Sequence, residues 1–132
     1  MQLKMILSVT IVAFSLFSGC KSSVQMPIAA EDIAICKNPD ALISIVRKIS
    51  SDQKLDFKYS MHEIDYGTQT TFRLKGDGYE ILLFNAFEQN NYVIRIYQIR
   101  SGDEHKEKGI IAYNKFKEAL STQAKCPDIQ TP

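Results

Sequence analysis

Between Pro39 and Ser51 apolar residues return every third or fourth position, with Leu42, Ile45, Val46 and Ile49 on one stripe. That is the spacing of an amphipathic helix. Asn38-Pro39-Asp40 opens the stretch. Asn suits an N-cap, Pro the first helical position, and Asp the positive end of the helix dipole. A helix over about 39–51 is therefore predicted. From Lys54 the period changes to two: Leu55, Phe57, Tyr59 and Met61 alternate with Asp56, Lys58, Ser60 and His62, as in a half-covered strand. After His62 the apolar phase shifts to Ile64 and Tyr66, the sign of a bulge or of the strand's end. A second strand is predicted over 70–75, with Phe72 and Leu74 on one side. Gly76-Asp77-Gly78 is a turn signal. The third strand, 79–87, is apolar on both faces at Ile81-Leu82-Leu83-Phe84, which marks an interior position. A turn at 88–91 leads to a fourth strand, 92–100, in which Tyr92, Ile94 and Ile96 share one face. Arg95 shares the other with Val93, Tyr97 and Ile99.

The charged run SGDEHKEK (101–108) reads as a solvated connection. Helical spacing returns over about 109–122, with Tyr113, Phe116 and Leu120 on one stripe. The order is α-β-β-β-β-α with hairpin-length connections. It predicts an α+β fold: a four-stranded antiparallel meander, with the N- and C-terminal helices packed on one face.

The densest apolar block lies outside this pattern. Lys4 precedes an uncharged run, 5–19, that holds Ile6, Leu7, Val9, Ile11, Val12, Phe14, Leu16 and Phe17. It is short for a bilayer-spanning helix, which needs about 20 residues, and suits the apolar core of a signal peptide. Ser18 and Gly19 end the run, and Cys20 follows. The segment resembles the lipobox of bacterial membrane lipoproteins. In that class the cysteine thiol takes a diacylglyceryl group, and a small residue before it admits the signal peptidase. Phe17 departs from the usual Leu. The resemblance covers about the first 20 residues and implies lipidation at Cys20, membrane attachment through that lipid, and cleavage after Gly19. Lys21 stands where Asp would imply retention in the inner membrane. The resemblance thus implies the periplasmic face of the outer membrane of a Gram-negative cell. The chain divides into a signal peptide (1–19), a tether (20–34) and one small domain (35–132). The tether reading rests on Ser22, Ser23, Pro27 and the lack of any sustained period over 21–34.

Three cysteines is an odd count for an exported chain. With Cys20 carrying lipid, Cys36 and Cys126 remain, and in an oxidising compartment they are expected to pair. The bridge would close a loop of about 90 residues, for which chain entropy sets an upper stabilisation of about 4–5 kcal/mol. The rival reading is a redox or metal role, which would call for a CxxC or a nearby His; the sequence supplies neither.

Composition changes the picture little. With 45% hydrophobic and 23% charged residues the chain reads as globular. A net charge of +1 gives no electrostatic reason to expect nucleic acid. His62, near Glu63 and Asp65, and His105, among Asp103, Glu104 and Glu107, have no paired metal-ligand spacing. Both read as solvated residues. There is no GxSxG, and no phosphate loop follows Gly76 and Gly78. No metal site and no cofactor are expected, and a non-enzymatic role is favoured. The six tyrosines are the more suggestive feature, because Tyr is enriched at interfaces. Arg95 and Tyr97 are the candidate binding residues, on whichever sheet face the helices leave open.

Two functions remain. The first is a lipid-anchored accessory module that engages another envelope protein, with an inhibitor or immunity protein as a special case. The second is a small-ligand or cell-wall binder, or a weak hydrolase, with a pocket between sheet and helices.

Overall fold

The computed structural model describes residues 26–65, 67–85 and 90–127. The signal segment, Cys20 and the first part of the tether lie outside them. Seven elements follow in the order β1 (Ala29–Ala34), α1 (Pro39–Asp52), β2 (Asp56–Ile64), β3 (Gly67–Lys75), β4 (Tyr79–Asn85), β5 (Asn91–Gln98) and α2 (Asp103–Ala124). The strands form one antiparallel sheet in the order β1-β5-β4-β3-β2. The class is α+β with two helices. The sheet, however, has five strands where four are expected from the sequence.

The extra strand is β1, which lies within the stretch read as tether. It runs along β5 with Glu31 opposite Ile94 and Ile33 opposite Tyr92. Its alternation is weak because most of its residues are exposed, so backbone pairing rather than an apolar face holds it in place. Two features downstream secure it. Ile35 is fully buried and bridges Lys125, with Cys36 N–H bonding Ala124 O and Cys126 N–H bonding Ala34 O. Cys36 and Cys126 lie at disulfide distance, with their Cα atoms 4.7 Å apart.

Helix α1 starts as its sequence predicts. The Asn38 side chain accepts from Ala41 N–H at 2.8 Å, and Pro39 occupies the first turn. Leu42, Val46 and Ile49 are buried against the sheet side that carries Phe72 and Leu74 of β3, Ile81 and Leu83 of β4, and Ile94 and Ile96 of β5. Helix α2 adds Ala112, Tyr113, Phe116 and Leu120 to the same core.

Helix α2 begins at Asp103, so most of the charged run 101–108 is helical rather than a loop. Gly102 stands at its N-cap, Asp103 and Glu104 occupy the first turn, and Glu104 pairs with Lys108 at 3.0 Å one turn on. Charge placement and an i,i+4 pair thus support a helical turn that has no apolar stripe of its own. The shift of apolar phase after His62 is the strand's end and not a bulge, because the β2–β3 register runs unbroken to Ile64–Gly67.

Candidate functional site

With both helices on one side of the sheet, strand alternation sends every second residue to the other side. Antiparallel register aligns these residues in rows. One row reads Lys58, Arg73, Leu82, Arg95, Ala30 from β2 to β1. Its neighbours hold Thr71, Phe84, Val93 and Asp32 on one side, and Lys75, Glu80 and Tyr97 on the other. Arg95 and Tyr97, the two candidates from sequence, therefore share this open face.

The face is organised by its arginines. The Arg95 guanidinium lies 4.9 Å from the centre of the Phe84 ring, within range of a cation–π contact. Arg73 pairs with Glu80 at 2.9 Å. No carboxylate among the described residues pairs with Arg95. Arg73, Glu80, Leu82, Tyr97 and Ile99 line a shallow groove of about 360 Å³. Leu82, Phe84, Val93 and Tyr97 are half-buried, and Ile99 at the groove's end is 41% exposed. Aromatic rings and guanidinium groups around an apolar centre are the composition of interface cores.

A second groove, of about 770 Å³, lies between β1 and α2 and is lined mostly by polar residues, among them Glu31, Asn114, Lys117, Ser121 and Thr122. Glu31 and Lys117 form an ion pair across it, and that hydrogen bond holds the Glu31 carboxyl below its ordinary pKa. The Lys117 ammonium also sits 5.0 Å from the centre of the Tyr113 ring. The Tyr113 hydroxyl is buried without a well-formed hydrogen bond. Burial first, and the nearby Glu31 charge second, push its pKa up.

The histidines stand apart from both grooves. His62 is exposed on β2. His105 is half-buried rather than solvated: its Nδ1 lies 3.1 Å from Asp77 O, and its ring covers Gly78. Gly78 has φ +83°, so the turn glycine both takes a left-handed conformation and leaves room for the imidazole. This clamp joins the β3–β4 turn to α2. The sequence carried no signal for it, because the two residues are far apart along the chain. Among the described residues no three His, Cys, Asp or Glu side chains are grouped to hold a metal ion, and no helix is long and apolar enough to cross a membrane.

No protein-family model matches this chain, and no curated protein matches it.

Proposed function

We propose that this chain is a lipid-anchored accessory protein at the periplasmic face of the outer membrane, and that it docks another envelope protein on the open sheet face. The observation that carries the reading is the uncovered row of Arg73, Leu82 and Arg95, with Phe84 beneath the Arg95 guanidinium. Among the described residues the five-stranded sheet is covered on one side only, which leaves this surface to a partner or to water. The lipid anchor on Cys20 follows from the lipobox resemblance. Two or three acyl chains would hold the protein firmly at the membrane. The role is binding rather than catalysis, and blocking a toxic hydrolase is the special case that suits a small stapled domain.

The test has two arms. Labelling with a palmitate analogue is expected to mark the wild type and to leave Cys20→Ala unlabelled; equal labelling of both removes the anchor. Crosslinking in cells, followed by purification with the anchor intact, is expected to recover one specific envelope protein. Arg95→Ala and Tyr97→Ala are expected to lower that recovery at least about tenfold, as the loss of an interface anchor worth about 1.4 kcal/mol or more would. Undiminished recovery from both variants refutes the open face as the docking surface.

The polar groove between β1 and α2 favours a second reading, a small-ligand or cell-wall binder. Its Glu31–Lys117 pair and its hydroxyl and amide side chains could hydrogen-bond a saccharide or peptide. Chemical-shift changes at Asn114, Ser121 and Thr122 on adding cell-wall fragments would support it.

A further inference from the structure

The two edges of the sheet are not equivalent. The outer side of β1 is partly occupied, since the Ala34 carbonyl accepts from Cys126 N–H and Ile35 bridges Lys125. The outer side of β2 carries no strand among the described residues, although β2 is nine residues long and pairs with β3 along its whole length. It holds no proline and no bulge, two of the means by which an edge is blunted, and Lys58 is its one lysine. Tyr59 and Met61 belong to the helix-covered side of the sheet, yet they stay 44% and 42% exposed.

The direction of the free backbone groups can be read from Asn85. Its side chain accepts from Thr70 N–H at 2.7 Å and donates to Thr68 O at 2.9 Å. These β3 groups therefore point away from β2. In an antiparallel ladder the residues opposite them, Met61 and Glu63, then point their own N–H and C=O away from β3. By alternation Tyr59 and Phe57 do the same. The free edge thus offers the backbone groups of Phe57, Tyr59, Met61 and Glu63.

We propose that two copies of this chain pair antiparallel along β2, with Tyr59 opposite Tyr59 at a twofold axis. In this register Phe57 meets Met61 of the second copy, so the half-exposed apolar side chains cover one another. On the other face Asp56 stands opposite His62 and Lys58 opposite Ser60. A shift centring the axis on Ser60 would set Lys58 against His62 and Phe57 against Glu63. A shift to Met61 would set Tyr59 against Glu63. Of these three registers, only the Tyr59-centred one sets each of Phe57, Tyr59 and Met61 opposite an apolar side chain. All outward N–H and C=O groups of Phe57, Tyr59 and Met61 are then satisfied across the axis. The two sheets join into one, and both open faces lie on the same side.

The test uses the full chain in detergent. Light scattering is expected to give twice the chain mass for the wild type. Met61→Pro removes an outward N–H that β3 does not use, so it is expected to give the monomer mass with an unchanged circular dichroism spectrum. Tyr59→Cys is expected to form a disulfide-linked dimer that the wild type does not form, because directly paired Cα atoms sit about 5.5 Å apart. Monomeric wild type with no Tyr59→Cys link overturns the proposal. Linking through Ser60→Cys in place of Tyr59→Cys overturns the register. A Tyr59→Cys link made only to a different protein overturns the second copy as the occupant.

Discussion

Asn85 holds Thr70 from the neighbouring strand as a strand residue would: its side-chain oxygen accepts the Thr70 N–H at 2.7 Å. The β3–β4 register itself stops at Thr71–Phe84, while β2 and β3 continue as a pair to Ile64–Gly67. The amide side chain thus extends the ladder past its last backbone pair and ties the β2–β3 arm to the sheet.

Asn85→Ala is expected to leave Thr70 N–H and Thr68 O without these partners and to cost about 1–2 kcal/mol. Amide exchange should quicken at His62, Ile64, Gln69 and Thr70 while the β4–β5 ladder stays protected. Uniform loss of protection across the sheet would contradict this role.

Gly78→Ala should be destabilising for two separable reasons. The left-handed φ of +83° costs an L-residue about 1–2 kcal/mol. The new Cβ would also meet His105 Nδ1 at 2.4 Å. His105→Ala in the same chain should restore the second part only, giving a measurable coupling between the sites in thermal unfolding.

Replacing Cys36 and Cys126 by Ser removes a link across a separation of 90 residues. The expected loss is up to about 4–5 kcal/mol, enough to lower Tm by more than about 10 °C. A shift of only a few degrees would mean that the Ile35–Lys125 bridge and its flanking hydrogen bonds hold the termini unaided.

Tyr113→Phe is expected to stabilise the protein by about 1 kcal/mol, because it removes a buried hydroxyl that lacks a well-formed partner. The sign with pH follows from the raised pKa of Tyr113. The unfolded chain ionises this group first, so wild-type stability should fall as pH rises above about 10. The Phe variant should lack that part of the alkaline loss. Urea unfolding between neutral and alkaline pH would measure both effects.

Much of the fold was legible because strong periodicity and local chemistry agree. Asn38-Pro39-Asp40 announced α1, and Asn38 caps it. The alternation of Tyr92, Ile94 and Ile96 against Arg95 and Tyr97 separated the two faces of β5, and burial follows that division. With Cys20 assigned to lipid by the lipobox resemblance, Cys36 and Cys126 were expected to pair, and they stand at disulfide distance. Arg95 and Tyr97 were legible as residues of the second face, whereas the Phe84 contact and the Arg73–Glu80 pair depend on cross-strand register.

By itself, then, the sequence determined the interior strands and the core stripe of each helix, since each rests on residue type and spacing. Tertiary structure decided the rest. Ala29–Ala34 becomes a strand only because β5 offers a backbone edge and the Ile35–Lys125 bridge holds the chain against it. The charged run from Asp103 becomes helix in place as the first turns of α2, and His105 there acquires a partner that lies 28 residues away in the chain. These outcomes depend on hydrogen bonds and packing between distant segments, which periodicity along one segment does not encode.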